Sequence, residues 1–172
     1  RDEQLRAGFA AEIVVLFEGA RAASGRLRRG DRFETFAVIS RKLSTTLQVD
    51  EMLEAMIDLT MQFVPADLCA LFTIDRKRRE LVLRAQRGFP PQGERQVSIP
   101  LSGRMIPVYI ATHGNPLLFT DLKESHRGVE IVPGAGGQER IRSLLGLPLR
   151  HPEGIVGVWV LASERPGSFN AE

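Results

Sequence analysis

Few side chains in this 172-residue chain have the type and spacing that chemistry requires. The one cysteine, Cys69, excludes an internal disulfide and a multi-thiolate metal site. It lies inside an apolar run, DLCALFTID, where a thiol behaves as a small hydrophobe. His113, His126 and His151 are far apart and form no ligand spacing with Cys, Asp or Glu, so no metal site is expected. Pro133 to Gln138 is glycine-rich, but no Lys-Ser/Thr follows, so a phosphate cradle of the nucleotide-hydrolase type has no support. No Ser/His/Asp set is recognisable, and no catalytic residue is assigned. The best case for binding is Ser102-Gly103 at the start of a short apolar helix, with Arg104 following at once. Free amide N–H groups and a guanidinium at a helix start suit an anion. The plainer alternative is an ordinary N-cap with a solvent-facing arginine.

The elements that must position these residues begin with an apolar helix over residues 2–23. Leu5, Phe9, Ile13, Leu16 and Ala20 share one face, and Val14, Val15 and Phe17 widen the stripe. That surface needs a partner, either its own domain or a second chain. SGRLRRGDR (Ser24 to Arg32) is a basic, solvated linker. A second helix runs from about Phe33 to Thr46. A third begins near Asp50, an N-cap candidate, and stops before Pro65. Its methionines fall at core spacing.

Strands are expected over Asp67 to Asp75, Glu80 to Arg87, Val97 to Pro100 and Leu117 to Thr120, with a short helix from Arg104 to about His113. Arg76 to Arg79 reads as a solvated hairpin tip. Pro107 fits the short helix only in its first turn. Residues 122–140 form a long glycine-rich stretch, the sort used for functional or mobile loops. SLLGLPLR (Ser143 to Arg150), a four-residue turn at His151 to Gly154, and IVGVWVLASERPGSF (Ile155 to Phe169) make a hairpin. Both of its strands are apolar at nearly every position, so both faces of the sheet are covered there.

The composition fits one domain with a helical extension: residues 1–30 as helix and linker, 31–172 as the domain. An apolar fraction of 43% supplies a core, and the net charge of +2 is spread among acids rather than gathered in a stripe. Nucleic-acid binding is therefore not expected. No apolar run reaches the ~18 residues of a membrane span. The lone thiol suits a reducing, cytoplasmic home. Arg1 at the start and a helix-cap-like Asn170-Ala-Glu172 at the end suggest a piece of a longer protein.

Four segments, in order, resemble GAF domains. LSTTLQVDEMLEAMIDLTMQFVPADLCALFTID (Leu43 to Asp75) is similar to the opening helices and first strand. RAQRGFP (Arg84 to Pro90) is similar to the strand-end turn. IPLSGRMIPVYIATHGNPLLFTDL (Ile99 to Leu122) resembles the family's strand, short helix and following segment. The hairpin from Ser143 to Phe169 resembles its last two strands. The resemblance spans about Phe33 to Glu172. It implies an α+β fold: a mostly antiparallel sheet of about six strands, helices on one face, a short helix and loops over the other. It also implies a small-molecule pocket beneath those loops, with Arg104, Met105, Val108, Tyr109, Thr112, Asp121 and Trp159 as candidate lining. Alternation alone does not say which face Trp159 occupies.

Subclasses of the family are narrowed by the residues. A cysteine-linked bilin and the thiol-exchange chemistry of free methionine sulfoxide reductases both require thiols that one buried Cys69 does not supply. The cyclic-nucleotide signature has no convincing copy. Haem is disfavoured: His126, in the loop, is the one candidate axial ligand, while His113 suits a helix C-terminus and His151 a solvated turn. The resemblance therefore implies a non-enzymatic sensory or regulatory module of a multidomain signalling protein. It would bind a small molecule and relay to an output domain such as a histidine kinase. The alternative is a ligand-free dimerisation module. A homodimer through residues 2–23 is expected in either case.

Overall fold

In the computed structural model, residues 49–90, 96–122 and 130–169 are described. The expected helices and linker before Val49, His126, and the final three residues lie outside them.

Helix α1, Val49–Phe63, carries Asp50 and Glu51 in its first turn, where acids suit the helix dipole. Met52, Leu53, Met56, Ile57 and Thr60 are buried at three- and four-residue spacing. Thr60 Oγ1 donates back to the Met56 carbonyl at 2.8 Å, which satisfies the buried hydroxyl. The helix stops at Phe63, two residues before Pro65. Asp50 is part of the helix, and its carboxylate accepts from Arg84 Nε at 3.0 Å.

The sheet follows. Strands β1 (Leu68–Asp75), β2 (Glu80–Arg87), β3 (Ser98–Pro100), β4 (Leu117–Phe119), β5 (Ser143–His151) and β6 (Gly154–Ser163) pair antiparallel throughout. Their spatial order is β3-β2-β1-β6-β5-β4. Helix α2, Ile106–His113, links β3 to β4, with Pro107 in its first turn as its missing N–H requires. The last hairpin turns more tightly than expected: His151 pairs with Gly154, leaving Pro152 and Glu153 as the turn. Gly154, at φ 119°, takes the conformation that closes it.

Alternation along the central strands builds two apolar layers. Cys69, Leu71, Leu145, Leu147, Trp159 and Leu161 pack with α1. Ala70, Phe72, Leu144, Val158, Val160 and Ala162 pack with Val108, Ile110 and Ala111 of α2. Each fully buried large side chain in these layers contributes roughly 1.5–3 kcal/mol. Gly146 lets α2 lie close, because a Cβ there would sit 2.2 Å from Ile110 Cδ1.

One irregularity aligns α1 with β2. Leu71 pairs with Ala85 but Phe72 with Leu83, so Arg84 is an extra residue in β2. Arg84 and Arg87 consequently both meet the acids of α1. Arg87 binds Asp58 through Nε (2.7 Å) and Nη2 (3.0 Å), and Glu54 through Nη1 (2.5 Å). The Asp58 bonds hold the Arg87 guanidinium above its ordinary pKa against the opposing effect of burial. Asp50, Glu54 and Asp58 recur every four residues, one helical turn apart, so a single acid stripe serves both arginines.

Candidate functional site

The face under α2 is the one roofed by irregular chain. Its roof consists of α2 and the segment from Glu130 to Ile141, where Ile131, Val132, Ala135 and Ile141 are buried. This part of the glycine-rich stretch is organised by one side chain, Gln138. Its Oε1 accepts from the amides of Ile131 (2.6 Å) and Val132 (2.9 Å). Its Nε2 donates to the carbonyls of Val132 and Ala135, both at 2.8 Å. Four backbone groups that β pairing leaves unused are thereby satisfied inside the layer. Sequence reasoning missed Gln138, since nothing in its neighbourhood marks an amide as buried.

The candidate lining residues separate. Met105 is the N-cap of α2, extended at φ −75° and ψ 156°, with no side-chain capping bond. Arg104, just before it, is exposed. Val108 faces the sheet and is buried. Tyr109 is 48% exposed and stacks on His113 with ring centroids 4.0 Å apart. Thr112 is exposed too, and its hydroxyl donates to the Val108 carbonyl at 2.8 Å. Tyr109 and Thr112 thus lie on the outer side of α2. Asp121 is clamped by Arg142, with Nε–Oδ1 at 2.9 Å and Nη2–Oδ2 at 2.6 Å. The Asp121 bonds raise the Arg142 pKa above its ordinary value. Leu122 N also donates to the Arg142 carbonyl at 2.7 Å, so Arg142, directly after the roof segment, holds the chain beyond β4 by side chain and backbone.

Trp159 belongs to the other layer, which removes it from any site under α2. Its pairing residues Leu147 and Leu71 pack against α1, and directly opposed side chains share a face. Its indole Nε1 donates to Cys69 Sγ at 2.9 Å. A further group does face α2: Gln86 is paired with Ala70, which packs in that layer. Gln86 Oε1 is buried and has no hydrogen-bond partner among the described residues. Among those residues no group of His, Cys, Asp and Glu is arranged to hold a metal.

The family model of the GAF domain matches residues 46–172. The chain is a GAF domain. Solved structures agree on the fold. The GAF domain of an Acinetobacter phosphoenolpyruvate-protein phosphotransferase superposes with a TM-score of 0.65 at 18% identity, over 81% of each chain. The equivalent domain from Coxiella burnetii gives 0.64 at 20%, over 78% of each. A free methionine-R-sulfoxide reductase from Neisseria meningitidis, solved with its substrate, gives 0.61 at 16%, over 84% of this chain and 83% of that one. No curated protein matches significantly. These identities speak to the fold alone, and GAF is a regulatory and sensory fold that also carries an enzyme.

The thiol of this GAF domain is poorly suited to exchange chemistry. Burial pushes the Cys69 pKa up to about 12, with the Trp159 N–H and Arg87 opposing less strongly. Native protein should leave Cys69 unreacted toward an aromatic disulfide reagent at neutral pH, and release one thiol on unfolding. The raised value also sets a pH dependence. Stability from the protonated thiol is complete below the unfolded value of 9.0 and is lost as pH rises toward about 12. Cys69→Ala should flatten that alkaline loss while costing about 1–3 kcal/mol at neutral pH, since the Trp159 N–H loses its acceptor. Fast labelling of the native thiol would contradict the assignment.

Proposed function

We propose that this GAF domain is a sensory module of a cytoplasmic multidomain signalling protein, of histidine-kinase or similar output, with no catalysis of its own. A small molecule enters the face beneath α2 and the roof from Glu130 to Ile141, and the change is relayed through flanking helices. The observation that carries the reading is Gln86. A buried carbonyl oxygen without a donor is costly, and a ligand N–H or O–H supplies what the described residues do not. Met105, Val108 and the Asp121–Arg142 clamp edge that face. Native mass spectrometry of the chain purified from its own host tests this. Wild type should retain a small molecule that Gln86→Leu loses. Wild type at the bare polypeptide mass would end the sensor reading.

The second reading is a ligand-free pairing module, favoured by how fully Phe72, Ile110, Ile131 and Leu144 fill the α2-side layer. In both readings residues 1–30 act apart from the domain, as a dimerising helix and linker. Light scattering should then show a dimer for the full chain and a monomer for a chain starting at Gly30. A full-length monomer at tens of micromolar removes the dimer.

A further inference from the structure

Two hairpin tips and the turn after β3 meet at one pole of the sheet. The β1–β2 tip carries Arg76, Lys77, Arg78 and Arg79, all exposed. Arg76 Nη2 donates to the carbonyls of Glu153 (3.4 Å) and Ile155 (3.3 Å), which ties this tip to the β5–β6 tip. Leu101 N donates to the Arg79 carbonyl at 2.9 Å, which brings the turn leading to Arg104 alongside. Arg150, at the end of β5, donates to the Gly114 carbonyl. Arg76 and Arg150 are therefore held by neutral acceptors, and among the described residues no carboxylate pairs with either.

The local acids do little to offset this. Asp75 Oδ1 is occupied by the amides of Lys77 (2.9 Å) and Arg78 (3.0 Å). Glu80 pairs loosely with Arg78 at 3.8 Å. Glu153 sits on the neighbouring tip. Among the described residues, no carboxylate pairs with Lys77, Arg79 or Arg104. Among the described residues, six cations thus face three acids at one pole of a chain whose whole net charge is +2. β1 enters and β6 leaves the sheet at the opposite pole, about 25 Å away by strand length.

We propose that this pole is a docking surface for an anionic phospholipid bilayer, an inference that goes beyond the sensor reading and does not depend on it. The tips carry no exposed large apolar side chain of the kind that centres a protein interface. The two tips themselves carry no aromatic side chain to stack on bases. Four to eight clustered Lys and Arg side chains suit a plane of anionic lipid headgroups. No helix of the described residues is long and apolar enough to cross a membrane.

Vesicle sedimentation of the full chain is the test. Vesicles of phosphatidylcholine with about one-third phosphatidylserine should retain it at low salt, and pure phosphatidylcholine should not. Lys77→Ala/Arg78→Ala/Arg79→Ala should weaken retention roughly a hundredfold, at roughly fivefold per charge removed. Lys77→Glu/Arg78→Glu should abolish it, and Arg140→Ala/Arg165→Ala, away from this pole, should not change it. The proposal is overturned if wild type ignores the anionic vesicles, if the tip variants bind as wild type does, or if duplex DNA is bound while vesicles are not.

Discussion

Gln138→Ala is expected to lower unfolding stability by about 3–5 kcal/mol, a large fraction of what a domain this size possesses. The side chain is buried, and each of its four hydrogen bonds ends on a backbone group of the roof. Truncation leaves the amides of Ile131 and Val132 and the carbonyl of Ala135 without these partners, while the Val132 carbonyl keeps the Ala135 amide at 3.2 Å. Water recovers only some of them, because Ile131, Val132 and Ala135 are themselves buried. Gln138→Leu separates the causes. It restores the volume without the bonds, so a loss close to that of the alanine variant assigns the cost to hydrogen bonding. Urea denaturation reads both variants. A loss under about 1 kcal/mol for Gln138→Ala would show that the roof does not depend on this amide.

Gly88→Ala is expected to cost at least about 3 kcal/mol, through two separate penalties. Gly88 has φ 81°, and a Cβ there would lie 2.1 Å from the Asp67 carbonyl oxygen. That oxygen is backbone and has little room to yield. Asp67 N donates to Ala162 O, while Asp67 Oδ2 accepts from Ser163 Oγ (2.7 Å) and Glu164 N (2.8 Å). A shift at Gly88 therefore propagates into the joint between β1 and β6. Gly134→Ala is the internal control: φ is 66°, but nothing lies within 4 Å of its Cβ. It should lose only the backbone preference, about 1 kcal/mol. Equal thermal shifts for the two variants would mean that the close approach to Asp67 has no energetic weight.

These two residues mark where sequence reading succeeds and where it stops. The turn containing Gly88 is visible in the order RAQRGFP, because strand periodicity ends there. The contact that makes glycine necessary comes from Asp67, just before the neighbouring strand, and no local pattern contains it. The hairpin from Ser143 to Ser163 is legible for a similar reason. Its strands are apolar on both faces, so a central position follows directly. The same lack of alternation hides which face each residue takes, and that is why Trp159 is placed only by its register with Leu147 and Leu71. Helix α1 is legible in its three- and four-residue spacing. Asp50 reads as a cap from sequence because its type suits one, yet it lies within the helix and its carboxylate meets Arg84. Arg104, Tyr109 and Thr112 are close in sequence to the roofed face, but proximity along a helix does not fix direction. Val108 points inward, and its neighbour Tyr109 is turned outward by one hundred degrees of helical rotation.

The extra residue in β2 has a wider bearing. Leu83 packs toward α2 and Ala85 toward α1, although residues two apart in an even strand share a side. Arg84 absorbs the difference. The strand therefore contains one position of slack in its reading frame. A relative one residue shorter here would keep Leu83 and Ala85 in their own layers and forfeit only the Asp50 contact. Loss of a residue on either side of the irregularity would instead turn a half-strand inside out. Alignments of distant GAF sequences should therefore open their gap at Arg84, and a length difference at that point carries no information about the site.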